Sequence, residues 1–348
     1  MSDEPTALSS REDWRAGRSE AIRALLEKYA PCDDDDLLSQ MMVTICRLAA
    51  DKADRGDLKI LNAALRELRY AFKVFAPYTD VPKVTIFGSA RTSEHHPQYE
   101  EAKRFAALMQ QHGWMVITGA GLGIMRAGHQ GARREASFGV AISLPFEQET
   151  NTIIANDPKL INFKYFFTRK LMFMKEAEAI VLFPGGFGTL DEGFEVLTLV
   201  QTLKAAPIPI VLCEEPGGRY WPGWRAFVER SLLANGMIDT EDLDLFRITD
   251  RAENAVGEIR DFYRRYHSSR YVAETLVFRL NQRLSAETLS EINATFADII
   301  LEGCIEQTDG PIEGENGAYP DKPRLAFAFD RRRAGRLRLL INRINEET

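Results

Sequence analysis

Residues 179 to 192 read Ala-Ile-Val-Leu-Phe-Pro-Gly-Gly-Phe-Gly-Thr-Leu-Asp-Glu, a short apolar run followed by a glycine-rich turn. The apolar run predicts a buried strand, and the spacing of apolar residues from Phe194 to Val200 predicts a helix after the turn. Glycine lets the backbone turn tightly enough for several N–H groups to converge on one anion, and a helix start directs its positive end to the same point. We therefore predict a phosphate-binding turn built from Gly185, Gly186, Gly188 and Thr189.

The helix after this turn is predicted to open at Thr189, which puts Glu192 in its first turn. The helix dipole favours an ionised carboxylate there, so a negative charge is held beside a bound phosphate without neutralising it. This arrangement indicates chemistry as well as binding. A Walker A loop is excluded because no Lys follows Gly188.

A second glycine turn runs from Gly119 to Gly123. It is similar to a dinucleotide fingerprint, but Ile124 stands where the third glycine belongs. The strand predicted after it, Phe138–Leu144, ends without an acid that could bind a ribose 2′-hydroxyl. The pattern therefore favours a mononucleotide over a dinucleotide, and taken alone this turn is equally consistent with an ordinary loop.

Four motifs occur in a characteristic order: Ile86 to Arg91, Thr118 to Met125, the pair Arg169-Lys170, and Pro184 to Glu192. Together they resemble the LOG ("Lonely Guy") family, and four ordered motifs are far more specific than any one of them. The resemblance extends from near Val84 to near Tyr266, about half of the chain. The flanking segments are not covered by it.

The resemblance implies a phosphoribohydrolase, which splits a nucleoside 5′-monophosphate into free base and ribose 5-phosphate. It implies that Arg169 and Glu192 are the catalytic residues. We expect neither a cofactor nor a metal. The residues expected to bind the substrate are Lys170 and the residues of the glycine turns, namely Gly88, Ser89, Gly119, Gly121, Gly123, Gly185, Gly186, Gly188 and Thr189.

The sequence is consistent with more than one substrate and more than one function class. Family members that act on cytokinin nucleotides commonly continue the Arg-Lys pair as Ala-Glu-Met, whereas this chain continues Leu171-Met172-Phe173. This departure favours ordinary purine or pyrimidine monophosphates, AMP first, over a cytokinin riboside monophosphate. Arg169-Lys170 is also consistent with the solvated face of a helix. The remaining function classes are a non-catalytic nucleotide sensor or carrier on the same fold and a structural assembly protein.

The composition is that of an ordinary globular protein, with 348 residues, 45% of them hydrophobic and 27% charged. A net charge of −7 argues against a nucleic-acid surface. No apolar run approaches the ~18 residues of a membrane span, and the N-terminus lacks an apolar export signal. Four scattered cysteines, Cys32, Cys46, Cys213 and Cys304, are typical of reduced thiols. We expect a cytoplasmic protein that binds neither membranes nor nucleic acid.

The chain divides into a helical region (1–80), a Rossmann-like nucleotide-binding domain (81–268) and a small βαββα domain (269–348). In the central region short β-branched runs alternate with amphipathic helices, which predicts an α/β fold with a doubly wound parallel sheet. The predicted strands are Val84–Phe87, Met115–Thr118, Phe138–Leu144, Ala179–Phe183, Pro209–Cys213 and Leu245–Ile248. The predicted helices are Gln98–His112, Met125–Arg134, Phe166–Glu176, Leu190–Leu203, Trp224–Ala234 and Ala252–Arg265. Ligands are expected beyond the carboxyl ends of the strands.

Both flanking regions are predicted to contain helices with one distinctive face. In the N-terminal region, predicted to be helical over residues 11–76, an apolar stripe from Leu58 to Phe75 indicates either packing on the chain's own core or the seam of a homodimer or larger even oligomer. The C-terminal domain is predicted to contain the strand Val272–Leu280, followed by a helix, two strands and a last helix. Six arginines at its end indicate either a salt-bridged surface or a site for an anionic effector: Arg331, Arg332, Arg333, Arg336, Arg338 and Arg343.

Overall fold

The structure is a computed structural model that describes residues 20–29, 32–143, 149–315 and 317–347. The chain divides into two compact units, Met1–Arg66 and Glu67–Thr348. None of the described helices combines the length and the apolar character that a membrane span requires.

The first unit is helical where it is described. Its helices are α1 (residues 20–29), α2 (Asp35–Ala50) and the beginning of α3 (Arg55–Phe75). The part of the helical prediction that covers residues 11–19 lies outside the described residues. Helix α3 begins at Arg55, and at its start the side chain of Asp54 accepts hydrogen bonds from the N–H groups of Gly56 and Asp57.

The apolar stripe of α3 has two different environments. Leu58, Leu61 and Leu65 are exposed. Phe75, at the other end of the stripe, is buried and stacks on Phe138 with ring centroids 4.3 Å apart. The last turns of α3 therefore pack on the core of the second unit, which agrees with the prediction that the stripe packs on the chain's own core. The dimer seam stays a prediction.

The predicted parallel sheet is confirmed and has seven strands in the order β4-β3-β2-β1-β5-β6-β7. Every neighbouring pair in it is parallel. The strands are β1 (Lys83–Phe87), β2 (Met115–Thr118), β3 (Ser137–Ile142), β4 (Leu160–Phe163), β5 (Ala179–Leu182), β6 (Ile210–Cys213) and β7 (Phe246–Thr249). Strand β4 was missed because it is a short edge strand with one exposed residue, and the end predicted for β3, Leu144, lies outside the described residues.

Helices connect the strands and bury two separate apolar clusters, each built on side chains of the sheet. The helices are α4 (Pro97–Gln111), α5 (Ile124–Ala132), α6 (Phe166–Lys175), α7 (Phe187–Gln201), α8 (Tyr220–Phe227) and α9 (Ala252–Phe262). Helix α8 continues as a π-helix (Val228–Leu233), and a 3₁₀ helix (Thr240–Asp244) precedes β7. This is the doubly wound arrangement that the alternating pattern predicted.

The strand order reverses between β1 and β5. The chain passes from β1 through β2 and β3 to β4 at one edge, and β5 then returns to the other side of β1. In such sheets the crevice beyond the carboxyl ends of the two central strands is the usual ligand site. The Ser89 N–H donates to the Pro184 carbonyl at 3.1 Å, so the loops after β1 and β5 are joined there.

The C-terminal sheet is antiparallel, in the order β10-β11-β9-β8. The prediction of a single strand over Val272–Leu280 is wrong, because the chain forms a hairpin that turns at Ala273, a residue with a φ of 51° and no glycine to mark the turn. The predicted βαββα unit is therefore ββαββα. Its elements are β8 (Tyr266–Val272), β9 (Thr275–Leu280), α10 (Ala286–Thr295), β10 (Glu306–Thr308), β11 (Arg324–Ala328) and α11 (Ala334–Glu346).

The arginines at the end of the chain are mostly paired with carboxylates. Arg336, for example, lies 2.6 Å from Asp298, and Arg331 lies 3.1 Å from Glu274. Arg333, Arg338 and Arg343 also have carboxylate partners. This agrees with the salt-bridged surface, and the anionic effector stays a prediction.

Candidate functional site

A crevice of about 810 Å³ opens beyond the ends of β1 and β5. Its lining contains most of the residues that the sequence singled out: Gly88, Ser89, Gly119, Arg169, Gly185, Gly186, Gly188, Thr189 and Glu192. Three others, Gly121, Gly123 and Lys170, do not line it. The crevice is therefore lined by residues from all four sequence motifs, although Lys170 of the Arg-Lys pair does not reach it.

The turn after β5 offers unpaired backbone donors. Helix α7 begins at Phe187 with Gly186 as its N-cap, two residues before the predicted start at Thr189. In the part of the chain that the structure describes, no acceptor is bonded to the N–H groups of Gly186, Phe187 and Gly188. Three such donors at the positive end of a helix are the groups that bind an anion in other proteins.

Two hydrogen bonds and the close approach of Thr189 to Gly185 hold this turn in place. A Cβ at Gly185 would lie 2.1 Å from the Thr189 hydroxyl oxygen, so only glycine fits there. The Tyr220 hydroxyl donates to the Gly185 carbonyl at 2.6 Å, and the Gln98 side chain donates to the Pro184 carbonyl at 3.1 Å. Tyr220 and Gln98 were missed in the sequence, because neither belongs to a motif and only the fold brings them near the turn.

Ser89 and Gly123 connect the loop after β1 to the start of α5. The Ser89 carbonyl accepts from the Ile124 N–H at 3.0 Å, and its hydroxyl oxygen accepts from the Arg91 N–H at 3.1 Å. Gly123 has a φ of 58°, and a Cβ there would lie 2.2 Å from the Ser89 carbonyl oxygen. Since the backbone N–H of Ser89 is also bonded, the hydroxyl proton is the part of Ser89 left to bind a ligand.

A buried polar network supports the turn from Gly119 to Gly123. The Asn151 side chain donates to the carbonyls of Ala120 and Gly121, at 3.0 and 2.9 Å. His129 bonds Asn151, Thr118 and a backbone carbonyl, and burial lowers its pKa to about 4, so it is neutral at physiological pH. Gly121 therefore contributes through this network and does not contact the crevice.

Arg169 extends from α6 into the crevice. Its guanidinium lies 5.1 Å from the ring centre of Phe173, and a Cβ at Gly119 would lie 2.9 Å from its Nη2 atom. Its Nε is buried without a hydrogen-bond partner among the described residues. Burial lowers the pKa of Arg169, an effect that the charge of Glu192 opposes. The reading of Arg169-Lys170 as a solvated face is therefore wrong, since both side chains are largely shielded from solvent.

Glu192 is a buried carboxylate at the wall of the crevice. Because α7 begins at Phe187, Glu192 is the sixth residue of the helix and lies in its second turn, which corrects the predicted first-turn position. Burial raises the pKa of Glu192, and the nearby charges of Lys170 and Arg169 oppose that rise. The two cations therefore favour the ionised form of Glu192, and burial opposes it.

Lys170 is placed differently from its prediction as a substrate ligand. Its ammonium lies 2.5 Å from Glu195, 2.9 Å from Asp191 and 3.4 Å from Glu192, and its side chain is only 15% exposed. Although burial lowers the pKa of Lys170, the bonds to these carboxylates raise it above its ordinary value. The ammonium is therefore paired with three acids, two of which, Asp191 and Glu192, line the crevice.

The fold and the site define an α/β protein whose switch-point crevice offers donors for one anion, a buried cation and a buried carboxylate. Residues 121–259 match the family model described as "Possible lysine decarboxylase", which represents the LOG family. This match agrees with the resemblance found in the motifs, and it covers less than half of the chain. The matched segment includes Arg169 and Glu192 and begins after the first motif.

Several solved structures are similar to about half of the chain. TM1055 is 20% identical, covering 51% of this chain and 96% of its own, with a TM-score of 0.36. The molybdenum cofactor binding protein of Rippkaea orientalis is 16% identical over 52% of this chain and 96% of its own, with a TM-score of 0.37. The molybdenum cofactor carrier protein of Chlamydomonas reinhardtii is 20% identical over 52% and 96%, with a TM-score of 0.36. No curated protein matches the chain.

Proposed function

We propose that this protein hydrolyses the N-glycosidic bond of nucleoside 5′-monophosphates, with AMP or a similar nucleotide as substrate, and releases free base and ribose 5-phosphate. The observation that carries the proposal is the meeting of three unpaired amides, Arg169 and Glu192 in one crevice. A binding protein needs the amides, but it has no need to bury a carboxylate beside them.

The phosphate is assigned to the start of α7. The N–H groups of Gly186, Phe187 and Gly188 bond no acceptor among the described residues, and Thr189 belongs to the same crevice lining. Binding the phosphate holds the ribose in place, so part of the binding energy serves to orient the reacting carbon. We therefore expect AMP to be hydrolysed and adenosine to be a poor substrate.

The reaction is a displacement at the ribose C1′ carbon. Water forms the new C1′–O bond, the C1′–N bond breaks, and the proton lost by the water ends on the departing base. Positive charge develops on the ribose ring in the transition state, and an ionised Glu192 stabilises that charge or orients the water. Arg169 remains protonated at any working pH and acts on the phosphate or the base by its charge.

Two further points support the proposal. The LOG resemblance implies the same two catalytic residues on independent grounds, namely the order of the motifs. The four cysteines are free, as expected of a protein that works in the reducing cytoplasm, where we propose that the reaction takes place.

The test is to incubate the purified protein with AMP, GMP, CMP, UMP and a cytokinin riboside monophosphate, and to measure free base and ribose 5-phosphate. Adenosine and ATP test the phosphate site, and free lysine with carbon dioxide detection tests the reaction in the family description. Release of base from at least one monophosphate, but not from adenosine, is expected. Calorimetric binding of a monophosphate without turnover would instead identify a carrier or sensor.

A further inference from the structure

Lys170 is the feature that the proposed reaction leaves unexplained. It follows Arg169 directly on α6, yet it does not line the crevice, and its ammonium is paired with three carboxylates of α7. Asp191 and Glu195 bind it more closely than Glu192 does, at 2.9 and 2.5 Å against 3.4 Å. A lysine held in this way is not available to bind a substrate.

We propose that Lys170 is a positioning residue for Glu192: Asp191 and Glu195 fix its ammonium beside Glu192, and the ammonium fixes the place and the charge of the Glu192 carboxylate. This inference rests on the proposed function. It assigns Asp191 and Glu195 to the same device, as the acids that orient the lysine. The three carboxylates lie within two turns of α7, so one cation from α6 ties the two helices together at the site.

The arrangement answers an electrostatic requirement. A carboxylate that stabilises a cationic transition state must be ionised, and burial opposes its ionisation. The charged groups that face Glu192 are Arg169 and Lys170 from α6, with Glu195 from its own helix. Both cations lower the pKa of Glu192, but Arg169 lines the crevice and is proposed to act on the substrate. Lys170 is therefore the cation whose charge serves Glu192 alone.

The charge of Glu195 acts against that of Lys170. It raises the pKa of Glu192, whereas Lys170 lowers it. Two substitutions should therefore shift the ionisation of Glu192 in opposite directions. Lys170→Met removes the favourable charge, and Glu195→Gln removes the unfavourable one while its amide oxygen still accepts a hydrogen bond from the ammonium.

The experiment is the pH dependence of kcat/KM on AMP, or on whichever monophosphate the parent cleaves best. The acid limb reports the ionisation of Glu192, and the substrate phosphate, which titrates near pH 6, affects all variants equally. We expect Lys170→Met to move the acid limb up by about one pH unit or more, since opposite charges at this separation shift a pKa by roughly one to three units. Glu195→Gln should move it down.

The matched control is Lys175→Met, the same substitution five residues later on α6. Lys175 pairs with Glu176 at 2.5 Å and is half exposed, so its removal should leave the profile unchanged. Lys170→Arg retains the charge and should restore the parental limb. If Lys170→Met folds poorly, Glu195→Gln alone still tests the sign.

A uniform loss of rate at every pH, with the limb unmoved in both variants, would overturn the inference, because it would make Lys170 a structural residue only. The same result would leave the hydrolase assignment intact. Failure of the parent protein to cleave any monophosphate would instead overturn the proposed function, so the two failures are distinguishable.

Discussion

The most direct prediction concerns Glu192→Gln. The substitution keeps the size and hydrogen-bonding reach of the side chain but removes the charge proposed to stabilise the ribosyl transition state. Losing a preorganised electrostatic partner of this kind typically lowers turnover on the order of 10²-fold or more, equivalent to about 2.7 kcal/mol. The loss should appear in kcat, because the amides that bind the phosphate are untouched.

The same substitution should not destabilise the fold. Burial raises the pKa of Glu192, so the folded state binds its proton more tightly than the unfolded state does. The stability that comes from this proton is present at low pH and is lost as the pH rises through the raised pKa. At a pH above the raised pKa the parent carries an unfavourable buried charge, which Glu192→Gln removes, so the variant should melt at the same temperature or higher.

The assay combines turnover of the best monophosphate with thermal melting at pH 7. The control is Glu229→Gln, which changes an ion-paired glutamate outside the crevice and should leave turnover unchanged. Near-normal turnover in Glu192→Gln would refute the reasoning and reduce Glu192 to a structural acid. A large fall in melting temperature would contradict the assignment of its pKa.

Three further predictions follow from the same geometry. Arg169→Ala should also abolish turnover. The double variant with Glu192→Gln should have a kcat/KM little lower than that of the poorer single variant, because both residues act on one transition state. Additive losses would argue for separate roles. Gly119→Ala places a Cβ 2.7 Å from Met125 Sδ and 2.9 Å from Arg169 Nη2, so it should displace both side chains and reduce kcat. Gly257→Ala, with open space around its Cβ, serves as the neutral control. Equal activity in the two variants would contradict the need for Arg169 at this position. Light scattering at micromolar concentration should report an even oligomer, because the apolar Leu58, Leu61 and Leu65 are exposed on α3; a monomer would contradict this.

The sequence was informative wherever a motif depended on backbone geometry. The glycines after β1, β2 and β5 identify strand ends in a parallel sheet, and strand ends converge at the switch point regardless of what lies between them. Gly185 and Gly123 are the clearest cases, since a side chain at either would overlap a neighbouring loop. For this reason the crevice could be located before any contact was known.

Contacts between residues distant in the sequence could not be predicted in the same way. Lys170 was grouped with the substrate ligands because it adjoins Arg169, but adjacent helical residues point about 100° apart, and here one faces the crevice and the other faces α7. The early start of α7 at Phe187 was missed because Gly188 is a poor helix former in isolation. Tyr220 and Asn151 have no local pattern that indicates their partners.

The hydrogen bond between Ser89 and Pro184 has a consequence for how a ligand is bound. Together with the bond from Tyr220 to the Gly185 carbonyl, it fixes two loops that in many nucleotide sites become ordered only when the ligand arrives. Little backbone entropy then remains to be lost on association. In the proposed function this preorganised backbone serves the phosphate, and the apolar side chains of Met125 and Phe166, which also line the crevice, are left to contact the base.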